Sequence, residues 1–421
     1  DGSCGYPCTS LYHYQGTKPQ LLEAINYPHS LGHAYAAVTE YLGFHCMADE
    51  WKVMGLAPYG NVDAKLKAFF DELIVLLPEG RYQIDTQLAN WAVTYARLPM
   101  LSPAAQEKLG GPAREYGFEP GDREADIALN FQNRIEEAMF HVLRHLQKRT
   151  GEKNLTLSGG VALNCKANGK ILDNTDFENV WLQPASHDAG CSMGAALHRW
   201  QVHKNYEGER WRMTHPYLGP SYETEPIRKE LDRFQLNYEE TDDPSAAAAE
   251  MLAEGKVIGW FQGRMEWGPR ALGARSILAD ARKPEMKDRV NAAVKFREPF
   301  RPFAPAIPIE RVGDYFESTT PSPFMTFTSV IRPERQAELG GVCHKDGTGR
   351  LQSVERDANP LYYDLITKFG ELTGTPVVLN TSFNIKGEPI VTTPQEAIRT
   401  FCATGLDALV MDRFVLKKGN L

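Results

Sequence analysis

The sequence predicts an α/β protein in two domains, and three observations carry that expectation. Strand-like segments alternate with segments of helical apolar spacing along the chain, which is the pattern of an α/β layer architecture. At 421 residues, the chain exceeds what one ordinary core fills. Gly208, Pro216, Gly219 and Pro220 break the periodicity over 206–225 and put a boundary there, giving domains 1–215 and 216–421.

In chain order, Thr9–Tyr14 alternates like a strand that belongs inside a sheet. Ser30–Leu42 has Leu31, Tyr35, Val38 and Leu42 on one helical face, and Ala64–Leu77 repeats the pattern behind Asp63 as N-cap. Ala125–Thr150 is a long helix with Ile127, Phe131, Ile135 and Phe140 inward, stopping near Gly151. A strand at Asn154–Leu157, a helix at Val161–Leu172, a strand at Val180–Leu182 and a helix at Gly190–His203 follow. The second domain opens with a helix at Pro244–Glu254 and a strand at Val257–Trp260. It closes with a strand at Pro376–Leu379, a helix at Pro394–Phe401 and a strand at Ala408–Met411. The polar, Gly-bearing stretch 333–358 is expected to be a mobile loop. No internal repeat or low-complexity tract is present.

With 42% hydrophobic and 24% charged residues, the balance is that of a soluble globular chain. A net charge of −8 argues against nucleic acid or an anionic membrane as the main partner, and no apolar run approaches spanning length. Seven scattered cysteines make no disulfide framework and point to a reduced, cytoplasmic setting. A homo-oligomer stays open. The opening Asp1-Gly2-Ser3-Cys4-Gly5 has neither an initiator Met nor a signal peptide, so the chain is expected to begin mid-domain with residues upstream.

Five segments look chemical. Ser158-Gly159-Gly160-Val161-Ala162-Leu163-Asn164 joins a strand to a helix, where backbone N–H groups can approach a phosphate, or where the chain simply turns. Ser186-His187-Asp188-Ala189-Gly190 puts Asp188 ahead of a helix of small residues, as an N-cap, a metal ligand or a ribose acceptor. Asp49–Gly60 alternates charged and apolar residues without a period and reads as a structured loop. The densest signal is Gly263–Ser276 with Val294–Phe303. Six cations there (Arg264, Arg270, Arg275, Lys295, Arg297 and Arg301) sit among Pro, Gly and aromatic residues. That is the make-up of a rigid wall for polyanions, since Arg suits bidentate phosphate contact and Lys supplies a point charge. Finally, the strand entering Leu379-Asn380-Thr381-Ser382-Phe383-Asn384 ends in small polar groups, and Arg350 in the polar loop offers a further cation. His29 and His33 share the i, i+4 spacing of a metal pair, but Gly32 interrupts them and no HExxH glutamate is present.

In this order, the five segments resemble those of the antibiotic and nodulation-factor O-carbamoyltransferase family. The most specific pieces are Lys52–Pro58, Gly159–Asn164, Gly268–Gly273, Phe300–Pro305 and Asn380–Asn384. The resemblance implies an actin/sugar-kinase/heat-shock-like ATPase domain, N-terminally incomplete, followed by an α/β carbamoyl-adenylate-forming (YrdC-like) domain. It implies an ATP-dependent O-carbamoyltransferase that makes carbamoyl adenylate from carbamoyl phosphate and ATP. The carbamoyl group then passes to a hydroxyl of a small-molecule natural product or sugar beside a metal, usually iron, with Mg accompanying ATP. Carried over by residue, Lys295, Arg301, Arg270, Arg350, Ser382 and Asn384 form the catalytic pocket. Lys52, Gly55, Gly159, Gly160, Asn164 and Arg275 hold nucleotide, and Asp1 and Asp188 are metal ligands. In the family a His-x-x-x-His pair completing the metal site lies upstream of the Asp-Gly that opens this chain.

Two other classes compete. A small-molecule kinase of the same ATPase superfamily explains Gly159-Gly160 but leaves the cationic second half unexplained. A non-catalytic nucleotide-binding assembly subunit explains a lost metal site. Transfer RNA modification is disfavoured by the acidic balance and the lack of a basic stripe.

Overall fold

A computed structural model describes residues 5–16, 18–94, 98–203, 207–209 and 211–420. Asp1 lies outside the described residues. The chain divides into two units, Asp1–Arg210 and Trp211–Leu421.

The first unit opens with β1 (Pro7–Gln15) paired antiparallel to β2 (Lys18–Asn26). The expected strand at Thr9–Tyr14 thus forms as one arm of a two-stranded ribbon rather than inside a larger sheet, and Tyr12 and Tyr14 remain exposed. Helix Leu31–Tyr41 starts where the Ser30 hydroxyl accepts the His33 amide at 3.0 Å. Asp49–Gly60 is not a loop. It forms helix Glu50–Leu56 and a 3₁₀ turn, Ala57–Tyr59, because Val53, Met54, Leu56 and Ala57 share a buried side. Helix Ala64–Leu73 is capped by Asp63, as the sequence predicts. It stops four residues early, since Ile74 and Val75 enter β3 (Ile74–Leu76), which pairs with β4 (Tyr82–Ile84). β-Branched side chains favour the extended form there.

Helix Asp122–Thr150 buries Ile127, Phe131, Ile135 and Phe140 and ends at Gly151 in the left-handed conformation. β5 (Asn154–Leu157) lies parallel to β6 (Asn179–Leu182). The single helix expected over Val161–Leu172 is divided into a 3₁₀ turn, Gly160–Leu163, and helices Cys165–Asn168 and Ile171–Asn174. Asn164 causes the first break: with ψ at 83° it leaves the helix, and its Oδ1 caps the next one by accepting the Ala167 amide. The last helix is regular over Gly190–Leu197 and continues as π turns to His203.

The second unit is built on one mixed sheet. Its strands are β7 (Glu239–Glu240), β8 (Ile258–Phe261), β9 (Arg275–Asp280) and β10 (Ala304–Pro308), with β11 (Thr328–Val330) and β12 (Thr348–Arg350) forming a separate antiparallel pair. β13 (Gln352–Val354), β14 (Val378–Ser382), β15 (Ala408–Met411) and β16 (Phe414–Lys417) complete the set. The eight-stranded order is β13-β10-β14-β9-β8-β15-β16-β7. Alternation sends Ile277, Ala279 and Leu379 into a core on one face and Leu278 and Val378 into a core on the other. Both faces are covered, so the central strands read as continuous apolar runs. The 333–358 stretch is not a structureless loop either. It carries helix Pro333–Gln336, β12 and β13, because Leu339, Val342, Leu351 and Val354 are buried in it.

No helix among the described residues is long and apolar enough to cross a membrane.

Candidate functional site

In the second unit the end of β14 is a polar node. Lys295, buried at the end of a π turn, donates from Nζ to Ser382 O (2.5 Å), Ser382 Oγ (3.1 Å), Asn384 O (3.1 Å) and Asn384 Oδ1 (2.7 Å). The Ser382 hydroxyl donates to Asn384 Oδ1 at 2.6 Å, and Asn384 Nδ2 donates onward to the Ile385 and Glu388 carbonyls. Three residues predicted for the site are therefore brought into direct contact. Burial first, then Arg297 and Arg301, hold the Lys295 amine well below the ordinary lysine range. Arg297 is pulled down likewise, by burial and then by Arg301 and Arg350. The Arg301 guanidinium meets Glu298 at 3.2 Å. Lys295, Arg297, Arg301 and Arg350 thus act on one another, with Glu298 as the opposing carboxylate, and such a field favours a bound polyanion.

A second group of side chains fixes the 268–275 loop that carries Arg270. Glu266 Oε1 accepts the amides of Leu272 (2.6 Å), Ala274 (3.1 Å) and Arg275 (3.3 Å), and the Ser276 hydroxyl accepts that of Gly273 (3.0 Å). Asn380 Nδ2 takes the Ala271 carbonyl, Tyr217 and Gln352 take that of Leu272, and Trp260 and Asn359 take that of Gly273. Asn380 and Ser382 alternate onto the same face of β14, so one strand ties this loop to the Lys295 node. Gly273, at φ 98°, is required: a Cβ there would lie 2.1 Å from the Tyr362 ring. Gly273→Ala is expected to destabilise the protein by more than about 1 kcal/mol, read as a lower urea midpoint.

Arg275 departs from its expected role. It is fully buried, its Nη1 donates to the Gln262 and Ala274 carbonyls, and its Nη2 donates to those of Gly263 and Pro220. Its guanidinium also lies 3.6 Å from the Phe261 ring centroid. Burial lowers its pKa to about 10, with Glu266 as the compensating charge. Both of its terminal nitrogens are thus committed to backbone carbonyls, and it braces the turn that it enters.

In the first unit, the parallel pair brings the two predicted turns side by side, with the Gly159 amide donating to the Ser186 carbonyl at 2.6 Å. Gly190 follows with no room for a side chain, since a Cβ would lie 2.1 Å from Gln183 Nε2. Gly159 and Gly160 are half-buried at the carboxyl ends of the strands, the usual ligand edge of parallel sheets. Asn164 is buried. It exchanges two hydrogen bonds with Gln132 (3.0 and 3.1 Å), and Tyr35, Glu136 and Lys170 extend that buried network. Lys52 is buried 2.9 Å from Asp49 and lies over the Phe44 and Trp51 rings, and Gly55 sits within helix Glu50–Leu56. Asp188 is exposed and caps nothing through its side chain; its carbonyl accepts the Cys191 amide. Among the described residues no three His, Cys, Asp or Glu side chains converge as a metal-ligand group. Of the expected metal ligands only Asp188 lies among the described residues, and no step is assigned to a metal.

The sequence reading named Lys295, Ser382 and Asn384 but missed Glu266, whose signal was a lone acid inside the Arg-rich segment. It counted Arg297 among six cations without giving it a role.

A two-unit α/β chain with a buried cation cluster is the class that fold and site define. A carbamoyltransferase N-terminus family model matches residues 1–197, and a carbamoyltransferase C-terminus model matches 249–418. Nodulation protein NolO of Bradyrhizobium diazoefficiens is 41% identical over 411 residues, covering 96% of this chain and 72% of that protein. Nodulation protein NolNO of Sinorhizobium fredii is 40% identical over 427 residues, covering 99% and 60%, and sll1178 of Synechocystis is 39% identical over 447 residues, covering 99% and 72%. The chain belongs to the carbamoyltransferase family, and is a transferase. A solved structure titled full-length HypF in the phosphate- and nucleotide-bound form aligns at 16% identity, with a TM-score of 0.29, over 41% of this chain and 25% of that one; so loose a likeness carries no argument.

Proposed function

We propose that this chain carries out ATP-dependent O-carbamoyl transfer, with the second unit forming the activated carbamoyl group. On this reading the second unit is the YrdC-like module and the first is the ATPase-like transfer module. Carbamoyl phosphate and water give carbamate and phosphate. A carbamate oxygen then attacks the α-phosphorus of ATP, the bond to the β-phosphate oxygen breaks, and carbamoyl adenylate and pyrophosphate result. An acceptor hydroxyl of a small-molecule natural product or sugar next attacks the carbamoyl carbon, loses its proton and releases AMP.

The observation that supports this most is the cluster of Lys295, Arg297, Arg301 and Arg350 beside Ser382 and Asn384. Negative charge grows on the α-phosphate and on the departing pyrophosphate, and fixed cations in a desolvated pocket lower that barrier. Arg270, on its braced loop, is assigned to the same task. Gly159 and Gly160 are assigned to the adenylate.

The test is pyrophosphate release from ATP by the purified chain with and without carbamoyl phosphate. Release that depends on carbamoyl phosphate is expected. Phosphate transfer to an alcohol without carbamoyl phosphate would favour a kinase instead, and a folded chain that binds nucleotide but turns nothing over would favour an assembly subunit.

A further inference from the structure

In the first unit, helix Asp122–Thr150 lines a groove of about 430 Å³, the size of a small-molecule site. Asn133, Glu137, Phe140 and Arg144 face it at i, i+4, i+7 and i+11, which is one side of the helix. Helix Ala64–Leu73 and β3 contribute Lys67, Asp71 and Leu76, and helix Ile171–Asn174 contributes its last residue.

The acids of this groove are already matched. Asp71 meets Lys67 and Arg134, both at 2.8 Å, Glu137 meets Arg134 at 2.7 Å, and Glu136 meets Lys170 at 2.5 Å. Arg134 is fully engaged, since its Nε and Nη2 both go to the Ile74 carbonyl. Arg144 is the lining cation that meets no carboxylate among the described residues. Its Nε donates to the Asn174 carbonyl at 2.7 Å, which holds the guanidinium in place, and its two terminal nitrogens have no acceptor among those residues. The polar groups beside it are open as well. His141 Nε2 lies 2.7 Å from the Leu77 carbonyl, which can only accept, so Nε2 carries the proton and Nδ1 of the neutral ring is an acceptor. The Asn133 amide makes no hydrogen bond to the described residues, and Asn174 uses only Nδ2, on the Lys170 carbonyl. Phe140 and Leu76 add apolar surface.

We propose that this groove binds a small polyhydroxylated anion, a sugar acid or a sugar phosphate, with its acidic group on Arg144 and its hydroxyls on His141, Asn133 and Asn174. The unmatched fork selects the anion, because Nη1 and Nη2 can give two parallel bonds to a carboxylate or a phosphate. The remaining groups select hydroxyls, because a hydroxyl both donates and accepts, whereas a plain anion would leave His141 Nδ1 and Asn174 Oδ1 without a donor. The carbon skeleton of the sugar covers Phe140 and Leu76. The site stands whether or not the second unit makes carbamoyl adenylate.

The probes are glucuronate and glucose 6-phosphate, with glucose, acetate and inorganic phosphate as their separated parts. Each is titrated into the full chain by calorimetry, with Arg144→Gln as the variant. Arg144 is exposed, so the variant should keep the wild-type melting temperature. At least one sugar anion is expected to bind the wild type ~10-fold or more tightly than glucose does, and Arg144→Gln should lose that difference. The same sugar anion should also bind ~10-fold or more tightly than its acid without hydroxyls. Binding of glucuronate alone identifies the acidic group as a carboxylate, and binding of glucose 6-phosphate alone identifies it as a phosphate. Phenylglyoxal labelling, read by peptide mass, separates this groove from the cations of the second unit, because the bound sugar anion should shield Arg144 itself. The site would be overturned by any of four results: no binding of either sugar anion, glucose or the simple acids binding as tightly, equal affinity in wild type and Arg144→Gln, or Arg144 labelled at one rate with and without ligand.

Discussion

Lys295→Ala is expected to reduce carbamoyl-phosphate-dependent pyrophosphate release by about 100-fold or more, the scale on which loss of one preorganised electrostatic group is felt. The side chain does two things at once. It is a cation in the pocket, and its Nζ holds together both polar groups of Ser382 and of Asn384. Lys295→Arg keeps the charge, but a planar fork cannot replace one nitrogen at the centre of four oxygens, so it should rescue little. The contribution of this side chain to stability should also depend on pH. Burial and the neighbouring arginines lower the folded-state pKa of this lysine below its unfolded value. Between those two values the unfolded chain binds more protons, so wild-type stability rises with pH through that window, and Lys295→Met should abolish the rise. A Lys295→Ala chain that is folded and releases pyrophosphate at the wild-type rate would remove this residue from the chemistry.

Glu266→Ala should cost about 3–5 kcal/mol, the range found when one partner of a buried charge pair is removed. Glu266 is 5% exposed, and one of its oxygens serves three backbone amides of the 268–275 loop. It is also the charge that compensates Arg275, whose guanidinium is fully buried. Alanine would leave three amides without their acceptor and one buried cation without its counter-charge. Glu266→Gln separates the two contributions, because its amide oxygen still accepts from the loop while the counter-charge is gone; it should fall between wild type and alanine. Chemical unfolding followed by tryptophan fluorescence reads both. A glutamine variant as damaged as the alanine one would assign the whole effect to charge.

Where apolar spacing was long and uninterrupted, the fold could be read in advance. Helix Asp122–Thr150 was legible from Ala125 onward in its apolar spacing, and the strand Ala408–Met411 in its unbroken apolar run. What could not be read was decided by tertiary partners. Ile74 and Val75 leave a helix because β4 is there to pair with them. Asn164 ends one turn because Gln132 is within reach of its amide. The site shows the same division. Lys295, Ser382 and Asn384 were visible as residue types in the right segments, and family resemblance joined them. No residue type distinguishes an arginine enclosed by carbonyls, such as Arg275, from one set among other cations, such as Arg297. The carbonyls that enclose Arg275 come from Pro220 and from Gln262 and Gly263, outside its own stretch of chain.

A connection between neighbouring strands is ordinarily where a chain drifts, gaining or losing a residue without harm. The segment leading into β9 has no such latitude. Its carbonyls from Ala271 to Ala274 and its amides from Leu272 to Arg275 are each matched to a particular donor or acceptor, drawn from segments as far apart as Tyr217 and Asn380. One inserted residue would shift every one of these pairings together. Over evolutionary time, therefore, this stretch is constrained in length as firmly as in composition, and homologous chains that vary freely elsewhere on their surfaces should align through it without a gap.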